Sequence, residues 1–458
     1  MSCLAPLVAR WAASSAAGSK RLAEVASLNP GVSRVVLKKG KAQIFVTGNP
    51  MVFSGAIDRI IGRPPPKTGD LVLVTNGAEE PIAWGVYNAV SMFRVRVLQT
   101  QDEAARDPHS NFDIEKLIET RLSGALALRK ALGLPSSETN VYRLVNSEGD
   151  RLSGLVVDVF DKHIVVASSA AWVEKYKTNI EETLKRLVGT KLLTWRPSVE
   201  LLKEEGFECV IESEERPEEV HVSSLIHLFI EGFSDGFFSD TSLCCQVLEN
   251  GIAYQVSLGG QKTGFYVDQR DNRLALRSFC KDKTILDLCC YTGAFALNAA
   301  ITGASRVIGV DSSKSAIDLA DANISLNNID PQVITFEKAD IVQYMKAALS
   351  KGETWDVVVL DPPKLAPSRK FLEKAAIKYR NLNAMAMQLT KPGGLLMTCS
   401  CSGAVAQSQN FLSIIQEAAR AAGRKAALLR VSGAGPDHPI DLAYPEGSYL
   451  TNCLLRVI

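Results

Sequence analysis

The chain has 458 residues, 46% of them hydrophobic and 22% charged, and its formal net charge of +1 excludes a polycation that binds nucleic acid through bulk charge. Its ten cysteines show no C-x-x-C spacing and its five histidines show no ligand spacing, which excludes a disulfide scaffold and argues against a zinc site. The missing ligand spacing means that no metal is expected. No apolar run is long enough to cross a membrane, so a membrane is not expected as a partner.

Residues 1–33 are predicted to be a transit peptide or a disordered tail. The first 23 residues, MSCLAPLVARWAASSAAGSKRLA, contain three basic residues and no acidic one, and alanine and serine dominate. This composition is typical of a mitochondrial or chloroplast transit peptide. The predicted location is therefore a chloroplast or mitochondrion, and a tail on a cytoplasmic protein is the alternative.

Residues 34–98 are predicted to form a small all-β unit. Short apolar segments alternate with Gly, Pro and Asn, as expected of strands joined by turns. The predicted strands are SRVVLKKG, QIFVTG, DLVLVTN, IAWGVYN and MFRVRVLQ. The unit has nine Lys or Arg residues against four acidic ones, which favours a polyanionic partner. A solvated surface is the alternative.

Residues 99–220 are predicted to form a small α+β unit. The segment FDIEKLIETRLSGALALRKALGLP has the spacing of an amphipathic helix, with Asp113 as its N-cap. NVYRLVN and SGLVVDVFDKHIVVAS are predicted strands, the latter a pair that turns near Asp161, and residues 172–188 return to a helix. Residues 221–248 are assigned to an atypical insertion or linker, because most of them show neither helical nor strand periodicity.

Residues 249–458 alternate strands and helices from residue 284 onward. This alternation predicts an α/β domain built on a parallel, doubly wound sheet. The last two strands, AALLRVS and YLTNCLLRVI, have no helix between them, so one is expected to join the sheet antiparallel. The predicted helices cover residues 293–303, 314–328, 341–350, 369–390 and 405–422.

Acidic residues stand at the carboxyl ends of the predicted parallel strands, where ligands bind in such sheets. The first loop, DLCCYTGAF, has one glycine, Gly293, which permits close approach of a cofactor to the backbone. Asp287 in this loop would repel the pyrophosphate of a dinucleotide. S-adenosyl-L-methionine fits better, since Asp287 suits its cationic group and Asp311 can accept from ribose hydroxyls. Asp340 can accept from the adenine amino group, and Tyr291 of the loop is assigned to the cofactor too. The alternative is that each Asp only caps the helix after it.

The segment GGQKTGFYVDQRDNR precedes the first parallel strand. Lys262, Tyr266, Gln269 and Arg270 could cover the cofactor or touch a phosphate. A turn followed by a helix cap is the alternative.

Two cysteines end the strand segment GLLMTCSC. The C5 atom of a pyrimidine is a poor nucleophile, so its methylation needs a thiolate that first adds to C6, whereas nitrogen acceptors need only positioning and a base. Cys401 is the predicted nucleophile, and Asp361 in LDPPK is predicted to orient the base and handle a proton. Cys399, one pleat deeper, is assigned to the core, but the choice between the two cysteines stays open, and a buried structural role is the alternative for Cys401.

Together, GGQKTGFYVDQRDNR, DLCCYTGAF, LDPPK and KPGGLLMTCSCS resemble the ribosomal RNA large-subunit cytosine-5 methyltransferases that begin with a PUA domain. VVLKKG…NPMVFSGAI resembles the PUA start, and YRLVNSEGDRLSGLVVDVF resembles the central domain of that family. The resemblance covers residues 34–215 and 249–458. It implies a Rossmann-like class I methyltransferase domain with a seven-stranded sheet, an N-terminal all-β PUA domain and a small central α+β domain.

The resemblance also implies a function. S-adenosyl-L-methionine is the expected cofactor, and ribosomal RNA is the expected partner. In the wider group of pyrimidine C5 methyltransferases the nucleophile lies in an S-C-N or T-C-S segment after the fifth strand. Counting from the double glycine and matching S-C-S places it on Cys401, while Cys399 also satisfies T-C-S. The expected product is 5-methylcytosine in large-subunit ribosomal RNA, formed through a covalent cysteine–C6 adduct. A base-nitrogen RNA methyltransferase and a non-catalytic RNA-binding ribosome assembly factor are the alternatives, and a homodimer is left open.

Overall fold

The computed structural model of the protein describes residues 22–106, 112–208, 244–258, 263–366, 369–408 and 410–458. Most of the predicted transit segment, most of the predicted insertion, and Lys262 lie outside these ranges. Import into a chloroplast or mitochondrion therefore stays a prediction. Residues 22–28 are helical and precede the first strand.

The N-terminal unit is a six-stranded β-sheet. Its elements are β1 (Ser33–Leu37), α1 (Gln43–Val46), β2 (Met51–Phe53), β3 (Ile57–Ile61), β4 (Leu71–Thr75), β5 (Pro81–Tyr87) and β6 (Phe93–Thr100). The order is β2–β6–β5–β4–β1–β3, and β1 runs parallel to β4 while the other pairs are antiparallel. Val35, Val72 and Val95 are buried in one core against it.

The segment QIFVTG forms the single helical turn α1, so the prediction of a strand there was wrong. Phe45 is its one buried side chain, whereas Ile44 and Val46 are exposed. The Thr47 hydroxyl donates to carbonyl oxygens one turn back, and Gly48 follows with a φ of 107°. These local bonds outweigh the strand propensity of the two β-branched residues.

The central unit is a four-stranded sheet accompanied by helices. Its elements are α2 (Gln101–Arg106), α3 (Ile114–Ala131), β7 (Val141–Asn146), β8 (Leu155–Phe160), β9 (His163–Ser168), α4 (Ala171–Lys175), α5 (Lys177–Val188), β10 (Leu192–Pro197) and α6 (Val199–Glu204). The order is β10–β9–β8–β7. Asp113 caps α3 by accepting from the N–H of Lys116, and the chain turns at Asp161, which confirms both predictions. The helix predicted for residues 172–188 is divided between α4 and α5.

The C-terminal unit combines a hairpin with a seven-stranded sheet. The hairpin strands are β11 (Cys244–Glu249) and β12 (Ile252–Ser257), and the sheet strands are β13 (Thr284–Leu288), β14 (Arg306–Asp311), β15 (Ile334–Lys338), β16 (Trp355–Leu360), β17 (Thr390–Ser400), β18 (Ala426–Ser432) and β19 (Thr451–Val457). The order is β15–β14–β13–β16–β17–β19–β18. The five strands β13 to β17 pair in parallel, and β19 is antiparallel to both of its neighbours, which confirms the predicted doubly wound sheet.

The helices of this unit follow the predicted order. They are α7 (Arg270–Leu276), α8 (Ala294–Ile301), α9 (Lys314–Leu326), α10 (Ile341–Ser350), α11 (Leu372–Leu389), α12 (Gly403–Ser408) and α13 (Phe411–Ala421). The helix predicted for residues 405–422 is therefore two helices. Short 3-10 helices occur at Ser54–Ala56, Ser147–Asp150, Val267–Gln269, Arg277–Phe279, Arg369–Phe371 and Pro445–Gly447.

The seven-stranded sheet is covered on both faces. Ile285 and Val357 belong to the core on one face, while Leu286 and Val358 belong to the core on the other. A sheet buried in this way consists of continuous apolar strands, so its polar side chains collect where the strands end. The fold thus concentrates chemically active residues at one edge.

Candidate active site

A cavity of about 1000 Å³ opens at the carboxyl edge of the seven-stranded sheet. Four polar residues that end or follow its strands line this cavity. They are Asp311 at the end of β14, Asp340 after β15, Asp361 after β16 and Cys401 after β17. Ligands of open α/β sheets bind at this edge, which makes the cavity the candidate active site.

Gln269 and Tyr291 line the same cavity from segments before and after β13. The structure therefore brings together six of the eight site residues predicted from the sequence. The other two, Asp287 and Gly293, do not line it. Their predicted contact with the cofactor stays a prediction, and the contacts that they do make support the loop after β13.

The loop after β13 has an uncommon backbone, because Tyr291 and Gly293 both adopt positive φ angles. The Tyr291 N–H donates to the Asp311 carboxylate at 3.0 Å, and its hydroxyl donates to the carbonyl of Gly264 at 3.2 Å. Its ring packs edge-on against Tyr266, with ring centroids 5.2 Å apart. The loop is thus bonded on both sides where it forms a wall of the cavity.

Gly293 is the N-cap residue of α8, with a φ of 78°. A Cβ atom at this position would lie 2.4 Å from Cζ of Phe336 on β15. The single glycine of the loop therefore makes room for an aromatic ring, where the sequence suggested close approach to a cofactor.

We expect Gly293→Ala to destabilise the protein by about 2–5 kcal/mol. A left-handed backbone costs a side chain about 1–2 kcal/mol, and overpacking against Phe336 adds about 1–3 kcal/mol. Gly303→Ala is a matched control, because Gly303 has a φ of 87° but no atom closer than 3.9 Å to the added Cβ. Urea denaturation of both variants separates the two contributions, and equal losses would contradict the role of Phe336.

Asp287 is a buried residue of β13. Its Oδ2 accepts from the N–H of Ala296 in α8 at 3.0 Å, while its Oδ1 has no hydrogen-bond partner among the described residues. Burial, followed by the negative charges of Asp361 and Asp311, raises the pKa of Asp287 to about 8. Asp287 therefore accepts from the first turn of α8 as a capping residue does, and its raised pKa favours the neutral carboxylic acid at pH 7.

Asp311 and Asp340 accept hydrogen bonds from the backbone after their strands. Asp311 accepts from the N–H of Ser313 at 2.9 Å as well as from Tyr291. Asp340 is the N-cap of α10 and accepts from two N–H groups of its first turn, each at 3.0 Å. Capping and lining of the cavity therefore coexist at Asp340, because the bonds to the helix fix the carboxylate at the cavity wall.

A relay of buried amides orients the side chain next to Asp361. Gln269 donates through Nε2 to the Asp361 carboxylate at 3.0 Å and accepts through Oε1 from Asn272 at 2.7 Å. Asn272 also donates to the carbonyl of Gly433 at 3.0 Å, and its Oδ1 accepts from the Ser432 hydroxyl at 2.7 Å. A backbone carbonyl can only accept, so Gly433 determines which end of each amide carries the hydrogens. The relay therefore presents an N–H donor to Asp361.

The two cysteines of the fifth parallel strand have different environments. Cys401 is half-buried, lines the cavity and donates through its thiol to the carbonyl of Pro362 at 3.7 Å. Cys399 is fully buried, and its sulfur accepts from Asn452 at 3.1 Å. Burial raises the pKa of Cys399 well above its ordinary value, so this thiol stays protonated. The prediction that Cys399 belongs to the core is confirmed.

Arg270 does not face the cavity, although the sequence suggested that it covers the cofactor or touches a phosphate. It is buried and donates twice to the carboxylate of Asp437, at 3.0 and 2.8 Å. That prediction was wrong, because a residue far along the chain neutralises this guanidinium. Tyr266 lines the cavity, whereas Lys262 lies outside the described residues.

Two other kinds of feature are absent from the described ranges. They contain no group of three or more His, Cys, Asp or Glu residues that could hold a metal ion. They also contain no helix that is both long enough and apolar enough to cross a bilayer.

Known protein families match the N-terminal unit and the C-terminal unit of this chain. Residues 35–100 match the family described as PUA-like domain, and residues 232–443 match the family described as S-adenosylmethionine-dependent methyltransferase. The chain is 34% identical over 429 residues to the ribosomal RNA large subunit methyltransferase I of Tolumonas auensis, covering 93% of this chain and 99% of the relative. The chain belongs to the ribosomal RNA large subunit methyltransferase I family. The member from Photobacterium profundum is 34% identical over 425 residues, covering 91% of this chain and 97% of the relative.

Solved structures share the fold. A methyltransferase crystallised with SAH (S-adenosylhomocysteine) aligns with a TM-score of 0.71 at 18% identity, covering 92% of this chain and 99% of that chain. An S-adenosylmethionine-dependent methyltransferase from Streptococcus mutans gives the same TM-score, identity and coverage. The C-terminal unit is thus a class I methyltransferase domain, and S-adenosyl-L-methionine is its cofactor.

The cavity of this methyltransferase suits its cofactor. S-adenosyl-L-methionine carries a sulfonium and an ammonium, and the cavity wall presents the carboxylates of Asp311, Asp340 and Asp361. Ile341 and Val342 add apolar surface beside Asp340. Carboxylates next to apolar surface match a cationic group joined to a nucleoside.

Three lining residues were not singled out as site residues at the level of the sequence. Lys378, Asn381 and Met385 lie on one face of α11 and line the cavity. Their i, i+3 and i+7 spacing is the signal that could have identified them, since these positions share a helix face. Lys364, directly after the double proline, is a further cation of the wall.

Proposed function

We propose that this protein methylates C5 of a cytosine in large-subunit ribosomal RNA, with Cys401 as the nucleophile. The observation that carries this proposal is the position of its thiol in the cavity that Asp311, Asp340 and Asp361 also line. A methyltransferase that acts on a base nitrogen has no need of a thiol there.

The names of the relatives and the PUA-like domain support ribosomal RNA as the substrate. The basic side chains of the wall, Lys364 and Lys378, suit the phosphates on either side of a nucleotide in the cavity. The volume of about 1000 Å³ has room for a base beside the cofactor.

Bound S-adenosyl-L-methionine supplies a methyl group activated by its sulfonium. Cys401, as the thiolate, forms a bond to C6 of the cytosine, and the electron pair of the C5–C6 double bond makes C5 the nucleophile that takes the methyl group. The electron pair of the broken sulfur–methyl bond stays on the sulfur of the departing S-adenosylhomocysteine. Loss of the C5 proton to a base then restores the double bond and expels the thiolate, so that the enzyme returns unchanged. Asp361 is proposed to orient the cytosine and handle a proton, with its own carboxylate held by Gln269.

We expect Cys401→Ala to abolish methylation, because no thiolate is then available to add to C6. Binding of S-adenosyl-L-methionine should be retained, because the carboxylates of Asp311 and Asp340 are unchanged. Cys399→Ala is the matched control, one pleat away on the same strand. It should stay active at a stability cost of about 1–2 kcal/mol, since only a sulfur atom is removed from the core. Methylation of ribosomal RNA is measured with tritiated cofactor and located by bisulfite sequencing.

Three outcomes separate the alternatives. Retained methylation in Cys401→Ala would favour a base-nitrogen methyltransferase. Loss in Cys399→Ala, with Cys401→Ala active, would exchange the roles of the two cysteines. Absence of cofactor binding by isothermal titration in the unmodified protein would favour a non-catalytic assembly factor.

A further inference from the structure

Cys401 stands between two buried serines. Ser400 and Ser402 are fully buried, whereas Cys401 lines the cavity. The Ser400 hydroxyl donates to the Tyr379 hydroxyl at 3.1 Å, and the Ser402 and Tyr379 hydroxyl oxygens lie 3.2 Å apart. Both neighbours of the cysteine are therefore bound to a single oxygen atom in the core. The backbone between them is held on both sides of the thiol.

The hydroxyl group of Ser402 also connects the backbone at Cys401 to the double-proline loop. The Ser402 hydroxyl oxygen accepts from the N–H of Ala366 at 3.2 Å. Ala366 is fully buried and lies four residues after Pro362 in the chain. Because the Cys401 thiol donates to the Pro362 carbonyl on the cavity side, the two segments are joined both in front of and behind the thiol.

Tyr379 is itself firmly held. It lies on α11, is fully buried, and packs edge-on against Phe411 with ring centroids 5.6 Å apart. Burial raises the pKa of Tyr379, so its hydroxyl keeps its proton and can both donate and accept. The preceding residue on α11, Lys378, lines the cavity, which makes this helix both a wall of the site and the support of its thiol.

We propose that Tyr379 is a positioning residue for Cys401. The Tyr379 hydroxyl binds the serines on either side of Cys401 and so directs the thiol towards the substrate. The methylation part of this inference rests on the proposed function of Cys401, whereas the effect on the thiol itself does not. Loss of the hydroxyl frees Ser400 and Ser402 from their common partner. A displacement of about 1 Å in a reacting group can lower a rate by about 100-fold, so the effect on catalysis exceeds the effect on stability.

Tyr379→Phe removes one oxygen atom and leaves the ring contact with Phe411 intact. Tyr254→Phe is the matched control: Tyr254 is also fully buried in the same domain, and its hydroxyl accepts from Asn298 at 3.0 Å without lining the cavity. Ser400→Thr retains a hydroxyl and should preserve most of the activity, whereas Ser400→Ala should lose part of it.

Two measurements test the inference. In single-turnover methylation of ribosomal RNA, Tyr379→Phe should be about 10- to 100-fold slower with unchanged cofactor affinity, and Tyr254→Phe should stay within about twofold of the unmodified protein. The second measurement is the rate at which iodoacetamide alkylates Cys401 without RNA, followed by mass spectrometry. This rate should change by at least about threefold in Tyr379→Phe and not in Tyr254→Phe.

Alkylation and methylation rates of Tyr379→Phe within twofold of the unmodified protein would overturn the inference, and so would equal losses in Tyr254→Phe. Because alkylation reports on the thiol without any methyl transfer, it still tests the position of Cys401 if Cys401→Ala proves active. In that case the proposed function fails, while a changed alkylation rate would still support Tyr379 as the support of the thiol.

Discussion

Asp437→Asn should destabilise the protein by about 3–5 kcal/mol, because it removes one partner from a buried ion pair. Asp437 is fully buried and accepts twice from Arg270, at 3.0 and 2.8 Å. Its carboxylate also accepts from the N–H of Arg143 at 3.0 Å and lies 3.1 Å from Nδ1 of His438. An asparagine turns an amide group toward these donors and removes the buried charge that Arg270 faces, while the more exposed carboxylate of Asp271, 3.5 Å from Nε of Arg270, stays.

The effect has a defined pH dependence. Burial alone acts to raise the pKa of Asp437, but the hydrogen bond and charge of His438 and the charge of Arg270 outweigh burial and lower it. A carboxylate with a lowered pKa in the fold stabilises the protein above its unfolded pKa of about 3.9, and that stabilisation is lost as the pH falls further. The difference between Asp437→Asn and the unmodified protein should therefore be full at pH 6 and shrink below about pH 4.

Urea denaturation measures this loss of stability. Glu119→Gln is the control, because it changes an ion pair of similar length that is exposed to solvent. Arg186 and Glu119 also form an ion pair at 2.8 Å, but both side chains are at least half exposed to solvent. An exposed pair contributes about 0–1 kcal/mol, so the control should hardly move the denaturation midpoint. Similar losses in both variants would show that burial does not govern the strength of the Asp437 pair.

Asp437 belongs to a connection that joins all three units of the chain. Between β18 and β19, the carbonyl of Asp437 accepts from Arg129 of α3 at 2.7 Å, and the carbonyl of Pro439 accepts from Asn146 of β7 at 2.9 Å. The carbonyl of Ala443 accepts from Asn49 of the N-terminal unit at 3.4 Å. The connection therefore holds the PUA-like and central units against the methyltransferase domain, so Asp437→Asn should also make unfolding less cooperative.

The elements that could be predicted from the sequence are those that local patterns determine. Four of the five strands from β13 to β17 contain apolar runs with an Asp or Cys close to the carboxyl end, and both faces of their sheet are covered. Their succession along the chain and their polar ends therefore followed from the pattern. The helix α3 carries its own start signal in Asp113. The strand predicted at QIFVTG was wrong because a turn of hydrogen bonds within the segment decided its conformation.

The features that could not be predicted depend on contacts between distant residues. Arg270 and Asp437 are 167 positions apart, and the acidic residues beside Arg270 in the sequence do not indicate that a distant carboxylate is its buried partner. Tyr379 lies 21 positions before Ser400, on another element, and its part in holding Cys401 appears only when α11 packs on the sheet. The sequence identified six of the residues that line the cavity, whereas the residues that support them required the tertiary structure.

Asp287→Asn should change how stability depends on pH. The pKa of Asp287 is raised from about 3.9 in the unfolded chain to about 8 in the fold, first by burial. Between these two values the unfolded chain is ionised while the folded protein holds a proton, so each pH unit costs the fold at most about 1.4 kcal/mol. The unmodified protein should thus lose stability from pH 4 to pH 8 through this residue, and the loss should level off above pH 8.

Asparagine has the shape of the protonated acid and can still accept from the N–H of Ala296, but it does not titrate. The stability of Asp287→Asn relative to the unmodified protein should therefore rise by a few kcal/mol between pH 5 and pH 8. Urea denaturation of both proteins at both pH values measures this difference. The contributions of the other carboxylates to the pH dependence cancel, because both proteins contain them. An unchanged difference would mean that Asp287 is ionised in the fold at pH 7. If the cofactor's cationic groups bind near Asp287, Asp311 and Asp361, saturating S-adenosyl-L-methionine should reduce the difference at pH 8, because a nearby positive charge favours the ionised carboxylate.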